Sequence, residues 1–533
     1  MASLSVHGLL VLLGLWICTK LFLHVWRRSS STQTTQLEGP PSTSRFLGVM
    51  RELSLAPDSG EIYQEWATRY GPAYEIPAEL GRRRIVITDP KAVTHFYNSE
   101  RSIYVRAEND RLFIGKIFGR GVLWAEGDTH KRQRKALTPA FSNAAIRRLT
   151  SVFYDSAYKM KSHWDVILDS VPSGEGAIIE VQEWMNRIAL DSIGIAGFSH
   201  DFRYIDGQKS AVTAVFEGLQ VMPTSILSTF VFILSFNFPF LLSLPTARMR
   251  LFWELRASLD VIAQRLLATT RREKEGGVAE ELTDKSIIGL LLKAETSDGQ
   301  LHMTQEEVVA QMNVLLLAGY ETTSVSLTWA LVELARHPEM QDKLRKDLAT
   351  FNTDPTWDQL VSELPYLDAT VLEVLRLHPP VDKSAREAAH DDVIPLGTPI
   401  VTPSGQTISS IVIGKGTSVV APIRCMNRSE SLWGPDAKEF KPERWFQEIT
   451  TPAKELQGHR HILSFHDGPR TCLGKTFALA EFKAALSVLI RNFVFEFPDG
   501  PDTKIEKHVS IVPRPKVAGQ NGAKVPLKVT WVE

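Results

Sequence analysis

Phe465-His466-Asp467-Gly468-Pro469-Arg470-Thr471-Cys472-Leu473-Gly474 is the stretch that decides the reading of this chain. Two glycines and a proline make a tight loop, and an Ala-, Leu- and Phe-rich helical run follows. Cys472 therefore stands at a helix N-terminus, where unpaired amides and the helix dipole favour a thiolate. Gly468 and Gly474 let the backbone approach a flat partner closely. Phe465 is placed to shield the sulfur from water. The other two cysteines, Cys18 and Cys425, suit the ordinary role of a small buried hydrophobe. Three widely spaced cysteines imply no disulfide framework. No Cys-x-x-Cys or His-x-x-x-His pair offers a zinc site.

Upstream, Thr304 and Glu307 form a capping box at the head of a long stretch without proline, which ends at Pro338. As a helix it would be roughly 50 Å long, enough to traverse a domain. Gly319 in its middle weakens it locally and allows a bend or groove. A second helix runs up to Pro379-Pro380. Short strand signals sit at Arg84–Thr88, Ile411–Ile413 and Val525–Val532. Arg271–Gly277 reads as a solvated loop. Ile226–Leu244, apolar and uncharged, suits either a lid or channel wall that dips into a bilayer, or a plain buried helix pair.

The chain has 533 residues, 44% hydrophobic and 23% charged, with net charge −1. These are globular proportions, without the basic surface that nucleic acid would need. Residues 4–26 are almost wholly apolar, and Arg27 and Arg28 follow. A span of ~20 residues crosses a hydrocarbon layer. No Lys or Arg precedes Lys20, the reverse of a cleaved signal peptide, so the expectation is a membrane anchor with the bulk of the chain cytosolic. The organisation expected is an anchor over 1–28, a polar linker over 29–45 and one catalytic body over 46–533.

Phe-x-x-Gly-x-Arg-x-Cys-x-Gly resembles the haem-binding signature of the cytochrome P-450 family. Glu373-Val374-Leu375-Arg376 resembles the family's Glu-x-x-Arg, and Phe440-Lys441-Pro442-Glu443-Arg444-Trp445 its Pro-Glu-Arg-aromatic segment. The resemblance implies that Glu373, Arg376 and Arg444 form a buried ionic lock with a structural role. Ala318-Gly319-Tyr320-Glu321-Thr322-Thr323 resembles the oxygen-activation motif. It implies a groove at Ala318 and Gly319, with Glu321 and Thr322 supplying protons. Residues 124–134 resemble the propionate-binding helix, with His130 and Arg134 on one face; the family usually has Trp where His130 stands. Arg386 and Arg470 match two further propionate ligands. Lys131, Arg132 and Lys135 suit either a docking face for an acidic redox partner or a merely solvated one.

The resemblance covers nearly the whole chain. It implies a mainly α fold with a smaller β region, preceded by one transmembrane helix. Haem b would be ligated through iron by Cys472. NADPH and O2 would be co-substrates, with electrons from an NADPH-cytochrome P-450 reductase and cytochrome b5 as an auxiliary donor. Residues 123–127 and 137–143 look most like fungal members, especially those of basidiomycetes. These features point to an endoplasmic-reticulum monooxygenase that oxidises an apolar terpenoid or other secondary metabolite. A sterol-modifying enzyme, a haem-thiolate isomerase or dehydratase, and a non-catalytic haem sensor are the rival readings.

Overall fold

The computed structural model describes residues 34–208, 239–275 and 286–533 apart from 173, 297–298 and 509. Gly14, Trp16, Thr19, Gly218, Val231, Phe232 and Ser235 are described as isolated positions. The expected anchor and most of the apolar stretch Ile226–Leu244 lie outside the described residues. Among those described, no helix is long and apolar enough to cross a membrane. The chain is mainly helical with smaller sheets. Its contacts divide it into two units.

The first unit comprises the N-terminal segment to Leu55, Glu65–Val105 and Ala385–Ala421. It holds a five-stranded sheet in the order Ala73–Pro77, Arg83–Ile87, Ser418–Ala421, Ser384–Ala388, Tyr104–Val105. The pairing of Arg83–Ile87 with Ser418–Ala421 is parallel. A hairpin of Asp392–Val401 and Thr407–Ile413 stands beside it in sequence. The strand signals at Arg84–Thr88 and Ile411–Ile413 thus fall on observed strands. Asp89 caps the helix Pro90–Asn98 and also accepts the Gly397 and Thr398 amides, joining that helix to the hairpin. From Thr34 onward the expected linker is no free tether. The Thr35 amide donates to the Val412 carbonyl at 2.9 Å, and a Cβ on Gly39 would stand 1.7 Å from the Glu75 carbonyl oxygen. Backbone pairing of this kind fixes a segment that polar composition alone would leave loose.

The second unit carries the long helices. The central one is Gln305–Arg336, 32 residues and therefore about 48 Å long. The capping box opens it: the Glu307 amide donates to Thr304 Oγ1 at 3.2 Å, and the Thr304 amide donates to Glu307 Oε2 at 3.1 Å. Pro338 starts the next helix after it. Helices Val181–Phe198, Pro365–Leu377 and Lys475–Asn492 pack around the central helix. Most of its residues are buried, as a helix enclosed on all sides requires. The C-terminal strand Pro526–Trp531 sits between Ala177–Glu180 and Phe493–Glu496 in an antiparallel sheet. A hairpin of Ile505–His508 and Arg514–Val517 lies just before it in the chain.

Two local expectations fail. The described part of Arg271–Gly277 is not a loop, because the helix Ala247–Glu275 runs through Arg271, which pairs with Glu295 at 2.6 Å. Arg, Lys and Glu are good helix formers, and charge alone does not mark a loop. Gly319 does not open a groove. A Cβ there would stand 2.8 Å from Cγ1 of Ile193, so the glycine lets two helices approach closely.

Candidate active site

The loop before helix Lys475–Asn492 turns as its composition demands. Gly468 adopts φ +63°, and the Cys472 amide donates to the Phe465 carbonyl at 2.8 Å. Phe465 is 7% exposed. No side chain caps the helix; the Gly474 amide is directed at the Cys472 sulfur. Burial pushes the Cys472 thiol up, against the pull of that amide and of the Arg134 and Lys475 charges. Yet Cys472 is the one exposed residue between Phe465 and Glu481. Its sulfur is crowded by protein and still opens onto free space, which is how a residue at the wall of a void looks. A Cβ on Gly474 would meet only Phe141, at 3.8 Å. The protein itself does not demand glycine there.

The central helix shows a matching feature. Between Glu307 and Arg336 every residue is buried or half-buried except Ala318, which is exposed. The opening expected at Ala318 and Gly319 therefore belongs to Ala318. Thr322, one turn on, is half-buried, and its hydroxyl donates back to the Ala318 carbonyl at 2.7 Å. Such back-bonding competes with the helix ladder and bends helices. Glu321 points elsewhere. It is 1% exposed and takes a 2.9 Å ion pair from Arg514. The Val512 amide donates to its other oxygen at 3.2 Å. Arg514 is itself fully buried, and its other arm donates to Asn186 Oδ1 at 2.7 Å. Glu321, expected to supply protons, is thus held in the structure by a guanidinium and a backbone amide.

Of the expected propionate ligands, His130 is buried and Arg134 half-buried, both on helix Gly127–Leu137. Arg134 has no ion pair or side-chain hydrogen bond among the described residues. Burial lowers its pKa, with the charge of Cys472 opposing. Arg470 is held by Glu126 and donates to the Ala125 carbonyl. Arg386 lies in the first unit, 5% exposed, and pairs with the buried Glu100 at 3.0 Å. Arg132 bonds Glu307 through both arms, so it does not stand free on a docking face. Lys131 and Lys135 are exposed.

The lock is assembled. Arg376 grips Glu373 through two bonds of 2.8 Å, both residues fully buried. Arg444 reaches Glu373 at 3.4 Å and Asp436 at 2.7 Å. Arg376 also donates to the carbonyls of Asn427, Ala437 and Glu439. Two members were not foreseen: Trp445 donates to Glu373 at 3.0 Å, and Asp436 takes Arg444. Burial opposes the ionisation of Asp436, but bonds from Lys441 and Arg444 outweigh it and hold the carboxyl down at about 2. A buried pair satisfied on every side in this way avoids the cost of an isolated charge.

A sequence profile of the cytochrome P-450 family matches residues 39–519. This chain belongs to the cytochrome P-450 family. It is 59% identical over 531 residues to the cytochrome P-450 monooxygenase claP of Ampulloclitocybe clavipes, covering 98% of both chains. It is 58% identical to claQ of the same fungus, again over 98% of both. It is 34% identical to cytochrome P-450 monooxygenase 128 of Postia placenta, over 92% of both. The likeness to fungal members thus holds, and the chain is an oxygen-incorporating P-450 oxidoreductase.

The family implies haem, and the residues of the second unit suit it. Cys472 offers a soft sulfur at a helix N-terminus beside free space. Gly474 clears the loop where no protein atom requires it. Arg134 is a half-buried cation without an ion pair among the described residues. Sequence reasoning missed Arg514, Asp436 and Trp445. The last two flank recognisable motif residues and were findable. Arg514 lies 193 positions from its partner, with nothing local to mark it.

Proposed function

We propose that this P-450 hydroxylates a bulky apolar substrate, a terpenoid or similar secondary metabolite of a fungus. The observation that carries the proposal is Ala318, the one exposed residue of the central helix between Glu307 and Arg336, one turn from a threonine hydroxyl. An opening lined by alanine and backbone favours apolar ligands, because it offers few groups to pair with a charge. Phe113, whose ring lies 5.5 Å from Phe232 and 5.3 Å from Phe252, adds an aromatic wall in the region 103–122. The half-exposed Val381 follows Pro379-Pro380.

Cys472 would hold the haem iron. Arg134, His130 and Arg470 would hold its propionates, Arg470 by exchanging Glu126 for the new anion. When bound, the haem activates O2, so that one oxygen atom enters the substrate and the other leaves as water. The protein's task is to orient the substrate, exclude water and place protons. Thr322 Oγ1 presents its hydroxyl at the opening. Electrons would come from NADPH through a membrane reductase, with cytochrome b5 assisting, and Lys131 and Lys135 are exposed cations for docking. The apolar residues 4–26 support a single-pass anchor in the endoplasmic reticulum, with the catalytic part cytosolic.

The test is reconstitution with the reductase, NADPH and a panel of lipophiles including limonene, farnesol and a sterol. NADPH-dependent hydroxylated product from a terpenoid is expected. Spin-shifting binding of a small charged metabolite, with none for any lipophile, overturns the reading. Product from the sterol alone would replace the terpenoid.

A further inference from the structure

Helix Ala247–Glu275 packs one face against helix Glu108–Phe118. Arg248, Phe252 and Arg256 are spaced four apart and share that face. The Phe252 ring lies 5.3 Å from that of Phe113, at 90°. Arg256 donates to the carbonyls of Gly115 and Lys116 at 2.8 and 3.0 Å. Arg248 lies over the ring of Phe232 at 4.8 Å, and that ring stands 5.5 Å from Phe113. Two arginines thus bracket the aromatic wall ascribed above to the pocket.

The two are satisfied differently. Arg256 pairs with Asp260 at 3.2 Å, and Asp260 also accepts at 2.6 Å from the buried Asn313 of the central helix. Lys116, on the opposite helix, donates to Ser243 Oγ at 3.0 Å. Arg248 is half-buried and has no ion pair or side-chain hydrogen bond among the described residues. Its Nε is buried without a partner, and the first turn of its helix holds no acid. Burial lowers its pKa, and no carboxylate opposes that. A guanidinium cannot escape by losing its proton. A ring face compensates a desolvated cation only in part. The fold therefore keeps, beside the aromatic wall, a cation whose matching anion it does not itself supply.

We infer that Arg248 binds a carboxylate at one end of the substrate, so that the substrate is an apolar body carrying one acidic group. The inference deepens the proposed function and rests on it. The apolar body belongs at the opening at Ala318, and the charge at Arg248. The guanidinium presents its donors in a planar fork that matches the two oxygens of a carboxylate. No bond is made or broken at Arg248. It determines specificity, by fixing which end of the substrate stays at the aromatic wall.

The experiment uses purified holoenzyme: wild type, Arg248→Met, Arg248→Lys and Arg250→Met. Farnesol and farnesoic acid share one apolar body and differ in the head group. Their dissociation constants are read from the spin shift of the haem at neutral pH. The acid is expected to bind wild type about tenfold tighter than the alcohol, and Arg248→Met to lose that preference. Arg248→Lys keeps the charge without the fork and should retain only part of it. Arg250→Met, at an exposed arginine two residues on, should keep all of it. A lipid headgroup is the other source of an anion, so sedimentation with phosphatidylcholine vesicles, with and without phosphatidylserine, is measured as well. Weaker binding of Arg248→Met to the anionic vesicles, with the preference for the acid intact, gives Arg248 to the membrane and overturns the inference. Equal binding of acid and alcohol to wild type, or a preference unchanged in the Arg248 variants, also overturns it; binding of the alcohol then leaves the apolar reading standing. Should Arg248→Met fail to fold, the wild-type comparison and Arg248→Lys decide. If no lipophile binds, the apolar reading falls and the inference falls with it.

Discussion

Removing Arg514 tests the clamp on Glu321 most directly. In Arg514→Met the guanidinium goes and a similar volume stays, so a buried carboxylate is left with one amide, that of Val512. Breaking a buried pair from one side costs about 3–5 kcal/mol, because the surviving charge is uncompensated. Protonation sets a ceiling on that cost. A glutamate with an unfolded pKa of about 4.3 becomes neutral at pH 7 for about 2.7 units of 1.36 kcal/mol, or about 3.7 kcal/mol. At pH 5 the same escape costs about 1 kcal/mol. The sign follows from linkage. A buried carboxyl that has lost its cation favours its neutral form. The penalty is therefore absent below about pH 4.3 and grows with pH until the folded pKa is reached. The lost bond to Asn186 adds a smaller, pH-independent cost of about 1 kcal/mol.

For 533 residues at about 2.1 cal/mol/K each, the unfolding entropy is about 1 kcal/mol/K, so 1 kcal/mol moves Tm by about 1 °C. Arg514→Met should then melt about 4–5 °C below wild type at pH 7 and about 2 °C below at pH 5. The double variant Arg514→Met/Glu321→Gln should lose the pH dependence and retain only the constant part. Thermal melts of the three proteins at the two pH values, at one scan rate, decide the matter. A deficit that is equal at both pH values, or a double variant as pH-sensitive as the single, refutes the account of Glu321 as a clamped charge.

Three further outcomes follow from the site. Cys472→Ala should abolish the thiolate-type spectrum of the reduced, CO-bound haem, whereas Cys18→Ala and Cys425→Ala should keep it; Cys425 is buried, and burial pushes its thiol up to about 12. Thr322→Ala should leave haem incorporation intact and lower product per NADPH about a hundredfold while peroxide rises; equal coupling would reduce the motif to a bend in the helix. Deletion of residues 1–28 should release protein from membranes with the haem spectrum unchanged, as assayed by fractionation. Loss of haem in the deletion would make the apolar segment part of the fold.

What could be read in advance was what is local. The Cys472 loop, the Thr304–Glu307 box and the Glu373–Arg376 pair are each defined within ten residues, and each has the geometry that its spacing predicts. Long-range partners were hidden. Nothing near Glu321 announces Arg514, because the pairing depends on how the central helix and a hairpin pack. Gly319 was misread for the same reason: a helical glycine signals either a bend or a neighbour, and only Ile193 shows which. At Arg271–Gly277 the error was different in kind, since charge was given more weight than helix propensity.

Arg514 joins elements that lie far apart in the sequence. Through Glu321 it ties the central helix to the hairpin Ile505–His508/Arg514–Val517, and its other arm reaches Asn186 on helix Val181–Phe198. A single buried guanidinium thus holds three elements, and its loss leaves a buried carboxyl and a buried amide oxygen without their partner. Glu321→Gln added to Arg514→Met removes the charge but does not replace the bond to Asn186, so the double variant should stay below wild type at every pH. A double variant as stable as wild type would mean that the bond to Asn186 contributes nothing and that Arg514 serves Glu321 alone.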